Sequence, residues 1–292
     1  MPTTATSLRR LSGIAELRDA IAQARKNGAR VGFVPTMGAL HRGHLSLVDR
    51  ARAEADLVVM SIFVNPLQFG PAEDFSRYPR PIEHDEGLAA DSGVDLLFTP
   101  GADDMYREGR VVTVTAGDYG KRWEGAVRPG HFDGVLTVVA KLFNIVQADV
   151  AVFGRKDLQQ AALVKMMVHD LDFPVRIVVA PTVRDADGLA LSSRNTYLSD
   201  RDRGHALSLI RSLRAASALF GSGERDARRL EAAGRDVIAA VPEVRLDYFA
   251  IVNPQTLEEE AGAQSGSAAI VAAHVGSTHL IDNIILGEND QD

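Results

Sequence analysis

One arrangement constrains this chain more than any other: a short apolar run closed by proline, a stretch with helical periodicity, and a second apolar run closed by Asn-Pro. Val31–Val34 stops at Pro35, residues 36–44 lead into a helical stretch ending near Ala55, and Leu57–Val64 ends at Asn65-Pro66. Apolar runs that do not alternate belong to strands buried on both faces, and strand, helix and strand within about 35 residues make a βαβ unit. The pattern recurs as a helix near Ile82–Ala90 with a strand at Val94–Phe98, then a buried helix at Val135–Ile145 and a strand at Val150–Phe153. A helix at Gln159–Leu171 and a strand at Val175–Val179 complete it. Such alternation predicts an α/β fold, a Rossmann-like parallel sheet with helices on both faces. A first helix is expected over about Ala15–Arg25, and the stretch around Arg9-Arg10 reads as part of the same helical opening. Val111–Ala116 is different, being β-branched with polar flanks; it predicts a strand outside the main sheet and a surface for a partner subunit.

After Pro181 the character changes. Two helices, Ser199–Phe220 and Asp226–Ala240, precede short strands at Val244–Ile251, Ile270–His274 and His279–Ile285, the pattern of a smaller α+β domain. The boundary is placed near residue 183, dividing 1–183 from 184–292, and a chain of 292 residues is long enough for two cores. Its 39 acidic and 32 basic side chains leave a net charge of -7, which argues against nucleic acid as a partner but not against a small anion held by local charge. The absence of cysteine removes disulfides, thiolate zinc sites and cysteine nucleophiles, and fits a reducing, cytoplasmic setting. No apolar run approaches the roughly 18 residues that span a bilayer, so no membrane segment is expected. Glu16, Arg18 and Asp19 likewise interrupt any export signal that Arg9-Arg10 would open.

Four places carry candidate chemistry. The first is residues 35–44, PTMGALHRGH, between strand and helix. His41 and His44 stand three apart on the opening turn of a helix, where unpaired backbone N–H groups already favour an anion. Gly38 and Gly43 remove side chains where a phosphate would approach the backbone. Composition alone would produce His-x-Gly-His roughly 0.02 times in such a chain. The alternatives are two polar surface histidines, or a zinc pair awaiting further ligands.

The second place is residues 154–157, GRKD, directly after a strand. Only five of the 32 basic residues are lysines, so Lys156 at a strand's carboxyl end is informative; it suits phosphate oxygens, and Asp157 suits a ribose. An Asp N-cap beside a solvated lysine is the plain alternative. Third, residues 191–195, LSSRN, offer two hydroxyls and a guanidinium as a cup for phosphate, although such a run alone is more often a cap. Fourth, the amides of Asn65, Gln68 and Gln160 suit a small hydroxy acid. His131 stands in a Pro-Gly turn able to close over a site, Asp85 (with Glu83) is the candidate magnesium ligand, and His169, His205, His274 and His279 have no motif around them.

Taken in order, PTMGALHRGH at 35–44, FVNPLQF at 63–69, RYPR at 77–80, RPGHF at 128–132 and SSRN at 192–195 resemble the pantoate–β-alanine ligase family. The resemblance runs from about residue 31 to 200 and continues weakly to Asp282-Asn283. It implies a nucleotidyltransferase-type domain, with the smaller domain closing over the ATP site, and a reaction in two steps. Pantoate and Mg2+-ATP would give a pantoyl adenylate and pyrophosphate, and β-alanine would then displace AMP. By position, Met37, Gly38, Ala39, Leu40, His41, Arg42, Gly43 and His44 would hold ATP. So would Gly154, Arg155, Lys156, Asp157, Val183, Leu191, Ser192, Ser193 and Arg194. Gln68 and Gln160 would hold pantoate, with Gln68 also near β-alanine, and His44 matches the family's proton donor. A cytoplasmic homodimer meeting at Val111–Ala116 is implied as well.

Leu191, Arg155, Leu158 and His84 depart from the family pattern, which has methionine, an acidic or polar residue, an aromatic and an acid there. His41, His44, Lys156 and Arg194 are thus expected to converge on one triphosphate, where positive charge would stabilise departing pyrophosphate. A simple nucleotidylyltransferase and a nucleotide-binding regulator without catalysis are the competing functions.

Overall fold

The computed structural model describes residues 8–71 and 73–288, so the ends of the two expected domains, 1–7 and 289–292, lie outside the described residues. Contacts divide the chain into two units. The first runs up to Gly154 and adds Leu163–Ala180; the second takes Arg155–Ala162 and everything from Pro181 onward. The return of Arg155–Ala162 to the second unit has no sequence signal, because it depends on which side chains reach that segment from over a hundred residues away.

In the first unit the strands are β1 (Arg9–Leu11), β2 (Val31–Thr36), β3 (Leu57–Ile62), β4 (Leu96–Phe98), β5 (Val150–Gly154) and β6 (Arg176–Ala180). They form one sheet in the order β1-β4-β3-β2-β5-β6, and every pairing is parallel. Connecting helices are α1 (Ile14–Lys26), α2 (Arg42–Arg52), α3 (Ile82–Asp91), short α4 (Ala102–Met105) and α5 (Glu124–Val127), α6 (His131–Val146) and α7 (Leu158–Asp170), which belongs to this unit from Leu163 onward. Val34, Val58, Met60, Leu97, Val150 and Val152 of the sheet pack with Val48 and Ala51 of α2, all fully buried. Each large apolar side chain so placed contributes about 1.5–3 kcal/mol. Strand order reverses between β2 and β5, and in a parallel sheet the carboxyl ends at such a switch point are where loops diverge and ligands bind.

Two expectations are corrected. Arg9–Leu11 is not helical but an edge strand paired with β4: Leu11 is buried, while Arg10 reaches Glu86 and Thr99. Three residues are too few to show a period. Val111–Ala116 forms no strand; Val114 N–H and Ala116 N–H instead donate to Thr137 Oγ1 and Asp133 Oδ1 of α6, leaving Val111 88% and Val112 77% exposed. β-branched composition marks an extended backbone but cannot supply a neighbouring strand. Helix α6 also starts four residues before its expected Val135, at His131.

The second unit packs α8 (Asp200–Gly221) and α9 (Ala227–Ala239) on an antiparallel sheet of β7 (Val244–Val252), β8 (Ala268–Val275) and β9 (Thr278–Ile285). Leu209, Leu213, Leu230, Phe249, Ile251 and Val271 centre its core. Among the described residues no helix is long and apolar enough to cross a membrane.

Candidate functional site

The loop leaving β2 is held from both ends. Thr36 Oγ1 donates to Ser61 O at 2.7 Å and accepts Gly38 N–H at 3.2 Å. Gly38 has φ +85°, and a Cβ there would lie 2.9 Å from both Asp85 Oδ2 and Ile62 Cγ2, so glycine is required for backbone conformation and for space. Ala39 follows at φ 49°, a left-handed conformation that costs a non-glycine residue of order 1 kcal/mol unless its surroundings fix it. Asp85 fixes it: one carboxylate oxygen accepts Ala39 N–H at 2.7 Å, the other Leu40 N–H at 2.8 Å.

That geometry corrects the metal assignment. Asp85 is 1% exposed with each oxygen on a backbone N–H, so it does not fit a magnesium ion, which keeps most of its water. Asp85→Asn replaces one acceptor by a donor facing an N–H, and is expected to cost about 2–3 kcal/mol in urea denaturation, with or without Mg2+. A loss seen only with Mg2+ present would restore the metal role.

The histidines stand where the sequence places them, at the opening of α2, and their rings do more than face outward. His41 is the N-cap, its Nδ1 accepting Gly43 N–H at 3.1 Å, and His44 Nδ1 accepts His41 N–H at 3.3 Å. Each ring nitrogen that accepts assigns the ring's proton to Nε2. Two Nε2–H donors, on rings whose centroids are 4.1 Å apart, thus sit at the positive end of a helix, with no side-chain bulk at Gly38 of the loop or Gly43 of the first helical turn.

Gln68 lies in the turn after β3, where Asn65 caps a short 3-10 turn begun by Pro66. Its Oε1 accepts Asn65 Nδ2–H at 3.0 Å, and its Nε2 faces Met37 Sδ at 3.1 Å, a weak acceptor that a carboxylate or hydroxyl would displace. Asn65 is 1% exposed and saturated: Nδ2 also donates to Gly134 O, while Oδ1 accepts Leu67 N–H and, at 2.7 Å, Tyr106 O–H. Burial pushes the Tyr106 phenol well above its ordinary range, which keeps it a neutral donor. His131 donates from Nδ1 to Gln68 O at 2.9 Å and faces Arg128 with Nε2 at 3.2 Å. Arg128 in turn grips Glu73; although burial raises the Glu73 carboxyl, hydrogen bonding and charge from Arg128 hold it below its ordinary value. Asn65 and His131, both expected at the substrate, are therefore the frame that holds Gln68.

In the second unit a lock of side chains ties the remaining motifs together. Leu191 N–H donates to Val183 O at 3.0 Å, and Ser192 caps the short turn Ser193–Tyr197 by accepting Arg194 N–H at 3.3 Å. Arg184 pairs with both oxygens of Asp282 at 2.6 and 3.1 Å and donates to Asn283 O. Asn283 Nδ2 then donates to Arg155 O and Lys156 O, each at 2.9 Å. The backbone of residues 155–156 is thereby fixed to the 183–191 turn. Lys156 Nζ lies 3.6 Å from Asp157 Oδ1, and Arg155 forms an ion pair with Glu288. Gln160 is half-buried on the first turn of α7. A cavity of about 320 Å3 within this unit is lined by Arg155, Arg184 and Arg214 with Thr182, Asn283 and Glu288. Sequence reading finds Arg155, Lys156 and Leu191–Arg194 but not the Arg184–Asp282–Asn283 lock; the terminal Asp-Asn pair is its sole trace.

A parallel sheet with a glycine-bearing, histidine-capped loop at its switch point defines a Rossmann-like domain of the phosphate-binding kind. The description "Pantoate-beta-alanine ligase" belongs to a family model that matches residues 9–285, and this chain is a member of that family. The pantothenate synthetase of Acidobacterium capsulatum is 52% identical over 292 residues, covering 96% of this chain and 98% of the relative. The solved pantothenate synthetase of Thermus thermophilus matches with TM-score 0.91 at 52% identity, over 95% of this chain and 99% of that one. The pantoate-β-alanine ligase of Francisella tularensis, solved in complex with β-γ ATP and β-alanine, matches with TM-score 0.80 at 32% identity, over 97% and 100%.

Proposed function

We propose that this chain condenses pantoate with β-alanine at the expense of ATP, releasing AMP and pyrophosphate, and so makes pantothenate. In the first step a pantoate carboxylate oxygen bonds to the α-phosphorus of ATP while the bond to the β-phosphate oxygen breaks. In the second, the β-alanine amine bonds to the pantoyl carbonyl carbon, the acyl–phosphate bond breaks, and the amine proton is released. Neither step requires a covalent enzyme intermediate; both require positioning and the exclusion of water from the adenylate.

The observation that carries this reading is the pair of Nε2–H donors at the mouth of α2, whose Nδ1 atoms are tied to the backbone. Donors fixed in advance are the means of stabilising charge that develops on transferring phosphoryl oxygens. We assign that task to His41 and His44, with His44 the proton donor, and the departing pyrophosphate to Lys156 and Arg194. Residues 37–44, 154–157, 183 and 191–194 hold ATP, while Gln68 and Gln160 hold pantoate. Magnesium would be held mainly by phosphate oxygens and water, and no step is assigned to Asp85. The chain works in the cytoplasm as a homodimer, with exposed Val111 and Val112 in the contact; Val112→Asp in sedimentation equilibrium tests that surface.

ATP–pyrophosphate exchange distinguishes the candidate functions. Exchange that requires pantoate is the expected result; exchange without it selects a simple nucleotidylyltransferase, and tight ATP binding without exchange selects a regulator. Gln160→Ala removes hydrogen bonds to a charged substrate, so the pantoate KM is expected to rise about 10- to 100-fold with the ATP KM little changed. Equal rises in both would remove Gln160 from the pantoate site.

A further inference from the structure

Sequence reading leaves His274 and His279 without chemistry, yet the fold sets them side by side. They are cross-strand partners on β8 and β9, next to the turn that joins those strands, with ring centroids 4.7 Å apart. The neighbouring β7 is bulged between Leu246 and Tyr248, and the extra residue is Asp247. A bulge re-aims a side chain, and here it delivers a carboxylate to the two imidazoles. His274 Nδ1 stands 2.7 Å and His279 Nε2 3.3 Å from Asp247 Oδ2. One ligand atom from each of the three residues lies within 4.8 Å of the other two, the sole such cluster of three or more among the described residues. The Asp247 side chain is 6% exposed, so its charge needs a cation; the 68% exposed Arg245 supplies one, 2.9 Å from Asp247 Oδ1 and 2.7 Å from His274 Nδ1.

We propose that Asp247, His274 and His279 form a binding site for one divalent transition-metal ion of the zinc type, with its fourth position open to water. Zinc–ligand distances of about 2.0–2.2 Å place tetrahedral ligand atoms about 3.3–3.5 Å apart. The Asp247–His279 separation has that value, and the Asp247–His274 pair must open by only a fraction of an ångström. Two imidazoles select zinc, cobalt or nickel over magnesium or calcium, which take oxygen ligands. Arg245 holds the place of the ion and, being largely exposed, can swing into solvent when one enters. Bound metal would then clip all three strands of this sheet at one end, independently of the ligase reaction.

The test is titration of the tag-free, chelator-stripped full chain with Co2+. One equivalent is expected to bind, with the visible absorption of a four-coordinate ion, to be displaced by Zn2+ and to persist in excess Mg2+. His274→Ala and His279→Ala should each weaken binding by more than about 100-fold, beyond the roughly 10- to 100-fold cost of losing a partner outside the coordination shell. Arg245→Ala, which removes the competing cation and no ligand, should tighten it several-fold. The imidazole NMR signals of His274 and His279 in the unmodified chain should shift paramagnetically with one equivalent of Co2+, a readout that survives any folding defect in the variants. Absence of stoichiometric Co2+ binding, or binding that leaves those signals and the variants' affinity unchanged, overturns the site.

Discussion

His44→Ala is expected to slow pantoyl adenylate formation by on the order of 10²-fold or more in single-turnover measurements, because under the proposed function it deletes a donor to the charge that develops on the phosphate. The residue has a second role that must be separated from the first. Its Nδ1 closes the capping box of α2, so alanine also leaves the His41 N–H without that acceptor. Loss of a cap costs about 0.5–2 kcal/mol, which a domain of this size survives. His44→Gln distinguishes the two roles, since glutamine at this helix position reaches back to the same N–H. The expected result is recovery of thermal stability in the glutamine variant with only partial recovery of rate. Near-normal adenylate formation by His44→Ala would remove the residue from the chemistry.

How far the sequence reveals such a site depends on whether the signal is local. Strands β2, β3 and β5 are legible because burial on both faces forces an unbroken apolar run, and the opening of α2 is legible because cap and histidines are adjacent in the chain. Asp85 illustrates the opposite case. A carboxylate among polar neighbours suggests a metal, yet its partners are N–H groups 45 and 46 residues away, and no pattern of side chains encodes them. His131 and Asn65 are legible as special residues, but not as the frame around Gln68. Besides their near neighbours Gln68 and Arg128, their hydrogen bonds run to backbone atoms and to Tyr106, which no motif includes. The same holds for Asn283, which reaches the carbonyls of residues 155 and 156 across more than a hundred positions. Asp247, His274 and His279 are invisible for a third reason: their meeting depends on a bulge, and one residue of register decides which face a side chain takes.

Gly134→Ala should have a large effect although it leaves every functional group in place. Helix propensity alone predicts the reverse, a gain of about 1 kcal/mol, because Gly134 lies inside α6. Packing decides otherwise. A Cβ at this position would stand 2.2 Å from Leu67 O, 2.4 Å from Leu67 C and 2.6 Å from Gln68 N, and backbone atoms cannot rotate aside as a side chain would. Helix α6 has little freedom to retreat, since thirteen of its sixteen residues are buried. The 65–68 turn must therefore move, stretching the 3.0 Å hydrogen bond from Asn65 Nδ2 to Gly134 O and carrying Gln68 out of position. Overpacking against immovable neighbours costs about 3 kcal/mol or more, which outweighs the gain in propensity severalfold. Urea denaturation should show that loss. In pantoate-dependent ATP–pyrophosphate exchange, the pantoate KM should rise at least about tenfold while the ATP KM changes little, because the loop of residues 37–44 is anchored separately by Thr36 and Asp85. A stable Gly134→Ala chain with unaltered pantoate dependence would mean that the turn does not position Gln68 for its substrate.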